Sequence, residues 1–166
     1  MSQLDVPAAG DLDPAAAVVW HAVEFARPQV LALIRGLSPE QLAARPAGFS
    51  NSLSSLMLHC AGACVNFAAW ITGEPVPADL KAEFHLDKPH TPLYQPPDET
   101  AAGLEAKWDK ANGILRSALA SVRGDSLDRV ITLRGHELTL RWLLAQITFH
   151  TPDHYGQMVM VKQHLG

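Results

Sequence analysis

Cysteine, clustered positive charge and charge overall are scarce in this chain. Two cysteines in 166 residues cannot frame a disulfide scaffold, so nothing argues for an oxidising compartment. No run of Lys or Arg occurs, and the formal charge is −4 with a pI near 6.0. A dominant nucleic-acid role, which needs a basic footprint, is therefore not expected. The chain has no phosphate-binding glycine loop and no nucleophile elbow. The opening MSQLDVPAAGDLDP has neither the basic start nor the apolar core of a signal peptide, so a cytoplasmic protein is expected. From Pro46 to Gly73 charge is missing altogether. A run of that length can mark a membrane span. Here Ser50, Asn51, Ser52, Ser54, Ser55, His59 and Asn66 dilute it, and polar groups are costly in a bilayer. A helix buried on most of its circumference is the better reading, with no membrane partner.

What is present is globular: 48% hydrophobic and 18% charged residues, a balance that excludes disorder of the whole chain. The length suits one domain. Residues 1–12 read as a loose tail and 13–166 as the single domain. Asp13-Pro14 is an N-cap followed by proline at the first helical position. The first helix then runs to about Arg35, with Val19, Val23, Ala26, Val30 and Leu33 on one side. Pro28 should kink or break it. Ser38-Pro39-Glu40-Gln41 is a capping box over a short helix. The second long helix starts in the Ser50–Ser52 cluster and ends at Gly73, with Leu53, Leu56, Met57, Cys60, Cys64 and Phe67 at helical spacing. Glu74 to Pro97 carries six prolines and reads as one long loop, of the kind that packs over a site. A third helix spans about Asp98 to Val122, on the stripe Leu104, Trp108, Ala111, Leu115, Ala118, Val122. Val130–Leu133, the turn Arg134-Gly135, and His136–Thr139 form a hairpin signal. The last helix covers about Leu140 to Leu165. Four long helices with one hairpin before the last imply an all-α four-helix bundle.

His150 and His154 fall four apart on the apolar face of that last helix, so both rings point inward one turn apart. Such a pair can chelate one metal ion. With eight histidines in the chain the spacing alone is weak. The burial is what matters, because an unpaired buried polar group costs about 1–3 kcal/mol. Residue physics leaves two readings open: one ion satisfies both rings, or carbonyls and waters do. Pro152 lies between the pair, so the helix either kinks there or restarts with Thr151 as cap. His59, in the charge-free helix with Ser55, Ala63 and Asn66 on its side, is the third candidate. Cys60 and Cys64 project about 100° and 140° away from His59 on a straight helix and read as core. His21, His85, His90, His136 and His164 read as surface or local structure. The segment His150-Thr151-Pro152-Asp153-His154 has the outer histidines of the zinc-protease signature. Thr151 stands where that signature has its glutamate base, so the protease mechanism is not supported.

Asn51-Ser52-Leu53 with His59, the hairpin ending in Thr139-Leu140, and His150-Thr151-Pro152-Asp153-His154-Tyr155-Gly156-Gln157 together resemble the DinB/YfiT-like superfamily of metal-binding bundles, from about Val18 onward. The resemblance implies an up-down-down-up bundle, commonly a homodimer, with a divalent metal on His59, His150 and His154. Relatives include transferases and isomerases that use low-molecular-weight thiols such as bacillithiol or mycothiol, and metal-dependent hydrolases. Pro152 departs from the family pattern. An enzyme reading follows: three neutral imidazoles leave open positions at which a water or thiol is acidified into the nucleophile. Asn66, Tyr155 and Gln157 are then candidates to orient ligands or substrate. Imidazole ligands suit zinc or nickel first, with iron, manganese or copper also accommodated. A non-enzymatic alternative is a metal-stabilised homodimer acting in binding or stress response. Its motive is that the charge-free helix also lacks charge on its second face, as at a subunit interface.

Overall fold

Local sequence signals fix the helix ends in the computed structural model, which describes residues 10–88, 93–96, 98–133 and 135–165. Most of the expected tail, residues 1–9, lies outside that range. Helix α1 spans Pro14–Ile34, and the Asp13 carboxylate accepts from the Ala15 N–H at 3.0 Å. Helix α2, Pro39–Ala43, carries the expected capping box. Ser38 Oγ accepts from the Gln41 N–H, and Gln41 Oε1 accepts from the Ser38 N–H. Helix α3, Leu53–Thr72, opens on a second box, Ser52 with Ser55. It stops at Gly73, whose φ of 81° is in the left-handed region that a side chain disfavours.

Of the alternatives the two internal prolines left open, a break or a restart does not occur. Pro28 does not interrupt α1, and Pro152 neither ends nor restarts α6, Leu140–Gln163. Both prolines lie on the exposed side of their helices. The carbonyls they leave unbonded, of Glu24 and Thr148, are therefore on the side where water can take the lost partner's place. The 74–97 connection is not wholly irregular either. Residues Ala78–Glu83 form a short helix, α4, with Asp79 in its first turn and Lys81 in its last, placed as the helix dipole favours. Among the described residues this makes six helices, four of them long. Pro89, Pro92 and Pro97 lie outside the described residues.

Helix α5, Ala101–Leu119, starts at the Thr100 cap. The hairpin is where the sequence put it. Strands β1, Val130–Leu133, and β2, His136–Thr139, pair antiparallel with Leu133 opposite His136. Gly135 takes φ 81° in the two-residue turn. The hairpin is tied to the start of α6, whose Leu140 and Arg141 N–H groups donate to the Arg129 and Leu127 carbonyls.

Packing closes a ring of four: α3 lies on α5 and α6, and α1 lies on the same two. The expected stripes fill the core. Leu56, Met57, Cys60, Leu104, Trp108, Leu115, Leu143, Ile147 and Met158 are all buried. On α1, Leu31 and Ile34 are buried and Leu33 only partly so. Several ties mark which ends meet. Gln95 donates to Ser52 Oγ at 2.7 Å and to the Ala43 carbonyl at 3.2 Å. Arg129 donates to the Ile71 carbonyl. Asp11 pairs with Arg116, and Phe49 meets His164 with ring centroids 5.1 Å apart. Helices α1 and α3 are each long and apolar enough to cross a membrane, but 67% of the apolar window of α3 is buried inside the fold. Helix α3 packs against this chain's own α5, and Phe84 and Leu86 lie over Gly62. At Gly62 the cover is so close that a Cβ would sit 2.7 Å from Leu86 Cδ2.

Candidate metal centre

Helix α3 brings His59 and helix α6 brings His150 and His154 to one place. The ring centroids are 5.2 Å apart for His59–His150, 4.7 Å for His59–His154 and 4.7 Å for His150–His154. One nitrogen of each ring lies within 4.8 Å of the other two. The triad forms because α3 and α6 pack directly on each other and because α6 continues unbroken through Pro152, keeping its two rings one turn apart. Phe67, on the same side of α3, meets the His150 ring edge to face at 5.3 Å.

The donor set fits a divalent ion on three counts. All three rings are half-buried, and His154 Nδ1 is fully buried with no hydrogen-bond partner in the protein, an orphan that coordination would satisfy. Burial pushes His150 down to about 4, helped by the neighbouring His154. Burial also lowers His154, opposed by the Asp153 charge and a hydrogen bond to Gln157. Both rings are thus neutral at pH 7, the form that binds metal. Third, bonds of about 2.1 Å confine ligand nitrogens to within about 4.2 Å of each other, a difference that small side-chain rotations close.

The shift at His150 has a consequence in the metal-free protein. An unfolded histidine titrates near 6.5. Between that value and about 4 the unfolded chain binds the extra proton, so stability rises with pH across this window and falls on acidification. Going from pH 7 to pH 5 should cost the chelated protein about 1–2 kcal/mol through this ring. Urea midpoints at the two pH values measure it, and His150→Gln should remove most of the difference. A midpoint with the same pH dependence in both proteins would count against the buried neutral ring.

The cysteines stay out of the centre. Cys60 and Cys64 are fully buried, and desolvation drives both thiols up, Cys64 to about 12. Cys64 donates to Asn112 Oδ1 at 3.6 Å. The three histidines are the one cluster of metal-ligand type that forms among the described residues.

His59 and His150 also face a cavity of about 620 Å³ between α3, α6, the hairpin and residues 84–86, 88, 93 and 94. Ser55, Ala63 and Asn66, placed beside His59 by helical spacing, all line it. Of the three candidate orienting residues, Asn66 is thus in the cavity wall. Gln157 is exposed, bonded to Asp153 at 3.3 Å and acting on His154. Tyr155 is half-buried against the core and outside the cavity lining.

Sequence reasoning set aside His85 and His136 as surface or local groups, but both belong to the cavity wall. His85 has φ 50°, a left-handed conformation uncommon outside glycine, and its ring lies 4.6 Å from that of Tyr94. The signal for this wall was the aromatic content of the proline-rich connection, Phe84, His85 and Tyr94, which a solvated loop does not need. His164 Nδ1 donates to the Met160 carbonyl, 2.8 Å away, and His90 is outside the described residues.

The family model of the DinB superfamily matches residues 22–158, a span that includes all three histidines. Among curated proteins none matches the chain.

Proposed function

The chain belongs to the DinB superfamily, and from that premise we propose that it is a divalent-metal-binding protein and a metal-dependent enzyme of the thiol S-transferase or hydrolase type. The observation that carries the reading is the convergence of three half-buried imidazoles, two of which, His59 and His150, line a cavity large enough for a small molecule. When bound there, a divalent ion, zinc or nickel first among imidazole-favouring metals, makes a water or a low-molecular-weight thiol acidic enough to act as nucleophile.

The chain's own residues supply the rest. His59, His150 and His154 hold the ion. Gln157, through His154, helps to fix that ring, as partners of ligating histidines do. Asn66, on the cavity side of α3, offers an amide to orient the substrate. Tyr155 braces α6 against the core beside His154. Among the described residues no carboxylate lines the cavity to serve as a general base, which suits a reaction in which the nucleophile loses its proton through acidification.

The family's up-down-down-up order is part of the same proposal. Gln95, before α5, meets Ser52 at the start of α3, and Arg129 beyond α5 meets Ile71 near the end of α3. Asp11 before α1 meets Arg116 late in α5, and His164 after α6 meets Phe49 before α3. These ties support α3 and α5 running one way, and α1 and α6 the other.

A second reading, a non-enzymatic metal-stabilised homodimer, is favoured by Val18 and Phe25 on α1 and Phe149 and Met160 on α6. All four are large apolar side chains open to solvent, and α1 and α6 are neighbours. One experiment separates the two. Metal-loaded protein is given candidate thiols and an electrophile, and turnover is compared with His59→Ala; mass in solution is measured before and after chelation. Metal-dependent turnover absent from the variant supports the enzyme. A dimer that survives chelation, with no rate above that of His59→Ala, selects the second reading.

A further inference from the structure

We infer that the cavity above the histidines takes an amphipathic anion: a small molecule with an apolar or aromatic body and one negatively charged end held at Lys88. The inference deepens the three-histidine reading and rests on it for the reaction, though not for the binding.

Size excludes the simplest occupants. At about 620 Å³ the cavity has the dimensions of a small-molecule site and far exceeds the room a water or a hydrated ion needs. Its walls choose the body of the ligand. Leu58, Phe67, Trp70, Phe84, Leu138 and Trp142 all line it, so an apolar surface gains by leaving water there and a flat ring finds aromatic partners.

Charge chooses the other end. Among the described residues no Asp or Glu lines the cavity, and Lys88 is the one lining side chain of fixed charge. Lys88 has Asp87 at 3.4 Å, but both side chains are largely in solvent, at 43% and 65% exposure. A pair so exposed is weak and leaves the ammonium group open to a second acceptor. A cationic ligand would meet Lys88 with no lining carboxylate to compensate. A neutral ligand would leave it unused. An anion gains from it at the rim without losing most of its hydration. With the charge at Lys88, the far end of the body is left for His59, His150 and the Asn66 and Gln146 amides that share the cavity.

Two fluorescent probes of similar shape test this on the full chain, chelated and metal-loaded: anionic 8-anilinonaphthalene-1-sulfonate and uncharged N-phenyl-1-naphthylamine. Trp70 and Trp142 report occupancy from the wall. The expected result is saturable one-to-one binding of the anion to the chelated protein, about fivefold or more tighter than the neutral probe at low salt. Lys88→Ala should erase most of that preference and leave the neutral probe unchanged. Ala63→Trp, which fills the cavity, should weaken both by more than about tenfold with the helical spectrum retained. Should that variant not fold, Leu138→Trp occupies the same space from the hairpin.

Equal affinity for the two probes, or an anion affinity indifferent to Lys88→Ala, overturns the charge assignment. Binding that survives both cavity-filling variants overturns the site. A preference that appears only in the metal-loaded protein places the anion on the ion and overturns the role of Lys88. Since the decisive arm uses chelated protein, failure of metal binding leaves this inference standing, and failure of probe binding leaves the histidine reading standing.

Discussion

His150→Ala is expected to lower the affinity for zinc or a similar divalent ion by more than about 100-fold, since loss of a mere partner to a ligand already costs 10–100-fold. Two imidazoles would remain, on different helices, with no cysteine or carboxylate in the cluster to replace the third. The same change has a thermodynamic counterpart. At an ion concentration about 1,000 times the dissociation constant, binding stabilises a folded protein by about 4 kcal/mol, and in the variant this stabilisation should vanish. Competition with a chromophoric chelator measures the affinity, and urea unfolding with and without ion measures the linkage. In chelated protein at pH 7 the variant should unfold near the wild-type midpoint, because the ring removed is only half-buried. Wild-type affinity in His150→Ala would remove the ion from the place assigned to it.

The second large effect lies in the core. Trp108 is 1% exposed and has the largest of the fully buried side chains. Trp108→Ala should cost about 3–5 kcal/mol, the usual range for truncating a buried aromatic. The indole Nε1 is buried with no hydrogen-bond partner, so the indole is not the best ring for its site in polar terms. Trp108→Phe removes that orphan donor while keeping most of the apolar contact, and should cost under about 1.5 kcal/mol. Equilibrium unfolding with an unchanged denaturant slope checks both. A phenylalanine variant as unstable as the alanine one would mean that the Nε1 group is satisfied after all.

Helix limits, caps and hairpin were legible because each is decided within a few residues. Ser38 with Gln41, Ser52 with Ser55, and Gly135 in its turn need no knowledge of the rest of the fold. The histidine pair was legible for the same reason, since i and i+4 share a face in any helix. That His59 meets them is a tertiary fact, reached through the family resemblance more than through spacing. What periodicity cannot report is the partner of a face. The uncharged second side of α3 read as a subunit contact, and periodicity gave no sign that Phe84 and Leu86 of the same chain lie against it at Gly62. Proline left the local reading open between a kink and a break. The helices continue through Pro28 and Pro152, and each proline faces solvent, which is settled only by packing. The cavity escaped notice because its wall comes from four separate stretches, none of them unusual alone.

Gly62 carries a last consequence. The gap between α3 and Leu86 is a methyl group narrower than an alanine there would need. What an added carbon would strike is the tip of a mobile leucine rather than backbone, so the helix would survive it and the leucine would turn toward the cavity. The calibre of the chamber over the histidines is thus adjustable at a single codon without disturbing either the ligands or the core, which gives descendants of this chain an inexpensive route to a different clientele.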